Sequence, residues 1–283
     1  MKNILVPTDF SKNAKNALNY AVAIAKKDMA KITLVHAFHV SYIAPEIPIE
    51  FLAAEIDLAE KTSHSQLNAL VKKVESENLI CETICKQDFA LDLILEVATK
   101  RKPYLIVMGT KGASGLEALI MGSNTAKVIE LAKCPVIAVP EKAKYKPIKN
   151  ITYATNYLSS DIDALKKLIE IAKLFEAQIS LVHIANEKNA TYQEDTTLNK
   201  FITKVKNRTN YDKLEFKLIY GEHFVEELEN YIKNGETDLL AMSTHHRTIY
   251  DKLFGTSYTK KLAYYSNIPL LAFHYKKESM VFI

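Results

Sequence analysis

Only 7 of the 283 residues are glycine, and four of them, Gly109, Gly112, Gly115 and Gly122, fall within fourteen positions. No other glycine precedes residue 221. A chain that makes its other turns without glycine has gathered its backbone freedom into one loop. That implies positive φ angles or a close approach of backbone to a ligand, with plain turn geometry as the alternative. The loop leads to Ser123, a good N-cap, at the head of a helical stretch. The free N–H groups and positive dipole end there suit an anion. The Ser123 hydroxyl can serve the helix, a phosphate, or both. No Gly-Lys-Ser/Thr follows, so this is not a P-loop, and no G-x-G-x-x-G dinucleotide pattern is present. No Ser-His-Asp order, paired-carboxylate motif or zinc signature accompanies the loop. The adjacent His245 and His246 lack a neighbouring Cys/His cluster and do not read as a metal site. No catalytic residue is assigned: binding is better supported than turnover, and any hydrolysis is expected to be slow.

The elements that carry this loop alternate strand and helix. Asn3–Pro7, Lys31–Phe38, 80–86, 104–108 and Val136–Val139 are short apolar runs with β character. Between them, helical spacing predicts helices from Ser11 as N-cap through Ala14, Ala17, Leu18, Ala21, Ile24 and Ala25, then over 51–77, 90–99 and 123–132. Apolar runs without alternation indicate strands buried on both faces, and with intervening helices that means a parallel sheet of right-handed βαβ units.

The chain is written twice. A shift of 147 lays residues 2–36 on 149–183 without a gap, with fourteen of 35 positions identical. A shift of 134 then pairs Met108 with Met242, Thr110 with Thr244 and Pro135 with Pro269, so the first copy carries about 13 extra residues between 37 and 86. Two domains are expected, 1–143 and 144–283, with the charged stretch 141–147 as their joint. His36 and His183 are repeat partners, which favours a shared structural role such as a buried, hydrogen-bonded imidazole.

The spacing Gly109-x2-Gly112-x9-Gly122-Ser123 resembles the ATP-binding branch of the universal stress proteins. The opening Ile4-Leu5-Val6-Pro7-Thr8-Asp9-Phe10-Ser11 resembles that family's first strand and its acidic residue. Cys134-Pro135-Val136-Ile137-Ala138-Val139 resembles its final strand. The resemblance spans both copies and implies two doubly wound, Rossmann-like parallel sheets of strand order 3-2-1-4-5. In that order ligands bind at the strand carboxyl ends beside the point where the chain reverses. By this resemblance Pro7, Thr8, Asp9, Met108 and Gly109 lie near the nucleoside, and Ala37 and Phe38 flank the adenine. Gly112, Gly122, Ser123 and Asn124 hold ribose and phosphates, and Lys111 is a candidate to neutralise phosphate. The implied ligand is ATP or AMP, with magnesium as a candidate companion, in a stress-response protein. A dimeric interaction scaffold without nucleotide is the contrasting reading, and an adenylyl-transferring enzyme the third, though this chain lacks a Ser-Gly-Gly signature. The family pairs through its terminal edge strands, which here implies that Val136–Val139 and Leu270–Phe273 associate within the chain as a pseudo-dimer. A further homodimer of chains is left open.

The second copy departs from the pattern. Asp9 is replaced by Asn156, Gly109 by Ser243 and Gly112 by His246, and only Gly255 and Thr256 keep the phosphate end. The first copy is therefore expected to bind nucleotide and the second weakly or not at all. A net charge of +4 over 37 basic and 33 acidic residues gives no reason to expect nucleic acid. No apolar stretch reaches the roughly 18 residues of a spanning helix, and the N-terminus lacks the pattern of a secretory signal. Cys81, Cys85 and Cys134 are too few for a disulfide framework. They read as small buried apolar side chains in a reducing, cytoplasmic compartment.

Overall fold

The computed structural model describes residues 1–40, 49–110, 121–185, 192–243 and 267–274, which form two compact units, one ending at Glu141 and the other starting at Lys142. The first unit comprises β1 (Asn3–Pro7), α1 (Lys12–Asp28), β2 (Lys31–Phe38), α2 (Ile49–Glu75), β3 (Cys81–Gln87), α3 (Ala90–Arg101), β4 (Leu105–Gly109), α4 (Ser123–Leu131) and β5 (Val136–Val139). Its strands run parallel in the order β3-β2-β1-β4-β5. The second unit comprises β6 (Asn150–Ala154), α5 (Ser159–Phe175), β7 (Gln178–Ala185), α6 (Tyr192–Arg208), β8 (Leu214–Tyr220), α7 (Phe224–Asn234), β9 (Leu239–Ser243) and β10 (Leu270–Phe273). Its parallel order β8-β7-β6-β9-β10 repeats the first. This is the α/β architecture expected from the resemblance. Among the described residues no helix is long and apolar enough to cross a membrane.

The central strands are buried along their length, as their apolar runs require, whereas β3 and β8 are only partly covered. Ser11 caps α1, its hydroxyl accepting from the Ala14 N–H at 3.1 Å, and the apolar stripe from Ala14 to Ala25 faces inward. The three cysteines differ from expectation. Each is a half-buried thiol rather than a fully buried one. Cys81 and Cys85 lie on the partly covered strand β3, and burial, with Glu75 and Glu82 nearby, pushes the Cys81 thiol up to about 12.

Two corners are built alike in both units. Phe10 and its repeat partner Tyr157 have φ of 63° and 61°, and Met29 and its partner Glu176 have 51° and 52°. Each costs roughly 1 kcal/mol or more for a residue with a Cβ, so the fold itself imposes these corners and local bonding holds them. Thr8 Oγ1 accepts from the Phe10 N–H at 3.1 Å, and Thr155 Oγ1 from the Tyr157 N–H at 3.0 Å. His36 Nδ1 lies 2.8 Å from the Thr8 carbonyl, and His183 Nδ1 lies 2.8 Å from that of Thr155. A carbonyl only accepts, so Nδ1 carries the proton in both. The Phe10 and Tyr157 rings lean on these imidazoles at centroid distances of 4.3 and 4.2 Å. The shared structural role of the two histidines is thus the bracing of a left-handed turn.

The second unit adds a staple the first lacks. Asp161 is 1% exposed. It accepts from the Tyr153 hydroxyl at 3.0 Å, the Thr155 hydroxyl at 2.8 Å, and the Asn156 and Leu158 N–H groups at 3.2 Å each. Its repeat partner is Ala14. Asp238 in the same unit accepts from the N–H groups of Lys149 and Asn150 at 2.8 and 2.9 Å and meets Lys146 Nζ at 2.6 Å, fixing the chain as it enters β6.

Two outcomes follow from these contacts. Asp161→Ala leaves buried hydroxyls and N–H groups without an acceptor and should cost about 2–4 kcal/mol of stability by denaturant titration; a loss under 1 kcal/mol would mean the staple is idle. Burial lowers the pKa of His36 below 6.5 despite opposing contributions from the Thr8 carbonyl and Asp9. The unfolded chain therefore binds that proton more readily, and stability falls as pH drops through about 6.5 and is regained above it. His36→Gln should remove that part of the slope in melting curves between pH 5 and 8, and an unchanged slope would count against it.

Candidate functional site

The crevice of the first unit begins with a missing hydrogen. The Thr8 N–H donates sideways to Val35 of β2 at 2.9 Å. Strand groups alternate sides, so the nitrogen of Pro7 faces β4, where it has no hydrogen to donate. The ladder between β1 and β4 accordingly pairs Ile4 with Leu105 and Leu5 with Ile106 and, among the described residues, goes no further. In the second unit Ala154 stands where Pro7 does, and β6 and β9 stay paired as far as Ala154 and Met242. The hydrogen-bonded ladder between the first unit's two central strands therefore stops short of their carboxyl ends.

Around the carboxyl ends of these strands lie most of the residues singled out from the sequence. On the β1 side are Pro7 and the buried Thr8, followed by Asp9 at the lip, half-buried. Asp9 Oδ1 accepts from the Ser11 N–H at 3.1 Å, which fixes the carboxylate over the start of α1. Ala37 is half-buried at the end of β2, while Phe38 is a core side chain at 8% exposure, as is Met108 at 5%. Both can face the crevice chiefly through backbone.

Gly109 ends β4 without a left-handed φ. A Cβ built there would lie 2.8 Å from Cγ of Asn13 and 3.1 Å from its carbonyl carbon, closer than packed atoms come. The close approach anticipated for this glycine is that of the first turn of α1. In the sequence repeat the partners of Gly109 and Asn13 are Ser243 and Ser160.

The glycine loop is pinched at its base. The Gly122 N–H donates to the Thr110 carbonyl at 2.7 Å, and the Thr125 hydroxyl to the Gly109 carbonyl at 2.8 Å. One position differs from expectation: Gly122, extended at φ −60° and ψ 148°, is the N-cap of α4, and Ser123 is its first helical residue. The Thr125 and Gly122 bonds draw the helix start back by one residue, leaving Ser123 and Asn124 exposed. Gly122 provides no side-chain cap, and the first turn has no acidic residue. Its N–H groups and dipole thus retain their capacity for an anion. Lys111, Gly112 and Gly115 lie outside the described residues, as do His245, His246, Gly255, Thr256, Tyr264 and Tyr265. Among the described residues no group of three or more His, Cys, Asp or Glu side chains could hold a metal ion.

Sequence reasoning passed over Asn13, Thr125 and the consequence of Pro7. The proline carried the one usable signal, since it replaces an alanine between otherwise matched strands.

In the second unit the described residues at the corresponding strand ends make contacts of their own. Asn156 is bound through its N–H to Asp161. Ser243 is 2% exposed, and Tyr157 is packed between His183 and Phe201, at 4.2 and 5.2 Å.

Comparison with known proteins agrees with this architecture. The model of the universal stress protein family matches residues 1–140. A universal stress protein of Methanocaldococcus jannaschii is 32% identical over 149 residues, spanning 50% of this chain and 84% of that protein. One of Thermus aquaticus, described as lying in the QAH/OAS sulfhydrylase 3′ region, is 33% identical over 140 residues, or 49% and 98%. The crystal structure of a universal stress protein from Archaeoglobus fulgidus superposes with a TM-score of 0.71, covering 98% of this chain and 97% of its own at 16% identity, which attests to the shared fold. With sequence and architecture in agreement, the chain belongs to the universal stress protein family.

Proposed function

We propose that the first unit of this stress-family protein binds an adenine nucleotide, ATP or AMP, as a regulatory or structural ligand, and that the second unit does not. The observation that carries this is the early end of the β1–β4 ladder at Leu5 and Ile106, short of the strand carboxyl ends where a doubly wound sheet takes its ligands. The available groups fit. Asp9 is oriented at the β1 lip, and half-buried Ala37 offers a side for the base. The uncapped start of α4, with Gly122, Ser123 and Asn124, suits phosphate, and Lys111 and Gly112 belong to the segment leading into it. Asp9 serves the nucleoside in this reading and not the phosphates, so the unit holds nucleotide without a base poised to activate water. Magnesium, if it accompanies the phosphates, takes its ligands mainly from phosphate oxygens and water, since Mg²⁺ keeps much of its hydration shell in such sites.

The same proposal assigns Val136–Val139 and Leu270–Phe273 to association within the chain. Each has one ladder partner inside its own unit, β4 or β9, and an open edge is hazardous when left unpaired.

Calorimetric titration with AMP and ATP should give one site per chain, and two equivalent sites would refute the assignment. Pro7→Ala restores the N–H that lets Ala154 pair, and should weaken binding by about tenfold, or about 1.4 kcal/mol, with stability retained. Undiminished affinity would remove the role given to the proline. Hydrogen exchange checks the pairing: amides along both terminal strands should all be slow, and rapid exchange at alternate amides would leave those edges unpaired.

A further inference from the structure

The first unit presents a pair of aromatic rings that its fold does not need. Phe89 is 64% exposed, and its ring lies 4.9 Å from that of His39, itself exposed. Phe89 occupies the N-cap of α3, where it forgoes the side-chain cap that Ser, Thr, Asp or Asn supplies. Asp88, one residue earlier, would suit that place. Instead its Oδ1 accepts from the Phe89 N–H at 2.8 Å while Oδ2 meets Lys86 at 3.1 Å, so the carboxylate holds the corner that presents the ring. A local preference broken at an exposed aromatic, with its neighbour supporting the break, is what a ligand contact requires.

The position suits one kind of ligand. The Asp88 N–H donates to the Phe38 carbonyl at 3.1 Å, so the β2–β3 ladder continues beyond Gln87 and brings His39 and Phe89 out at the same end of the sheet as Asp9. Two strand spacings, roughly 10 Å, separate the end of β1 from that of β3. The phosphate end of the crevice is at α4, on the far side of β4, so a bound nucleotide directs its base toward β2 and β3. We infer that Phe89, steadied by His39, forms a stacking wall for the purine base, making the β3–α3 corner a specificity element of the site. This rests on the nucleotide reading above.

The chain contains no tryptophan, so Phe89→Trp introduces a single emitting indole. Its emission should change on addition of AMP and stay constant with ribose 5-phosphate. Phe89→Ala should lose roughly 5- to 100-fold in AMP affinity by calorimetry, the range for one aromatic–base stack. Its affinity for ribose 5-phosphate should be unchanged, and Phe89→Tyr should restore AMP binding. If AMP binds the unsubstituted chain but neither the indole nor the Phe89→Ala affinity responds, the stacking wall is overturned and the nucleotide site stands. A parallel loss for AMP and ribose 5-phosphate overturns it equally, as a merely structural effect. If the unsubstituted chain binds no AMP, the nucleotide reading falls and takes this inference with it.

Discussion

The first unit depends on a hydrogen bond that cannot form. Every other constraint at the centre of the sheet pulls β1 and β4 together: parallel register, apolar side chains buried on both faces, and helices crossing over them. Pro7 alone withdraws a donor from the β4 side while the Thr8 N–H keeps the β2 side bonded, so the ladder is shortened along one seam only. Asp9 and Gly109 lie at the two sides of that seam's carboxyl end.

The two units show how differently one scaffold can be bonded internally at the same end of its sheet. Both keep the threonine-braced turn, the left-handed aromatic and the imidazole beneath it. The second then substitutes Ala154 for the proline, brings Asp161 in under the turn, and seats Tyr157 between His183 and Phe201. Burial and the adjacent Asp161 carboxylate keep the Tyr153 phenol protonated well above its usual range, so that side chain acts as a donor within the core. None of these substitutions alters the order of strands. They add contacts within the unit.

Much of this was legible in the chain itself. The period of the apolar runs gave strands at Asn3–Pro7, Lys31–Phe38 and Val136–Val139 with their observed bounds, because buried parallel strands admit few polar residues. Helix ends were less legible: 51–77 is in fact Ile49–Glu75 and 90–99 extends to Arg101, since side chains at helix termini face solvent and carry no apolar signal. Gly109, singled out for close approach to a ligand, has a neighbour within the fold instead. At Gly109 the neighbour is Asn13, about a hundred residues away in sequence, and only the folded chain brings them together. Ser123 failed as a cap for a similar reason: Thr125 and the Thr110 carbonyl, which reposition the helix start, are tertiary partners.

The left-handed corners carry a thermodynamic consequence. Phe10, Met29, Asn78, Lys102, Tyr157 and Glu176 all sit where glycine would relax most easily. A residue with a Cβ samples far fewer backbone states than glycine before the chain collapses, so less entropy is surrendered when the corner forms. Local strain in the native protein is thereby set against a narrower denatured ensemble, and glycine is withheld from these six bends that merely turn.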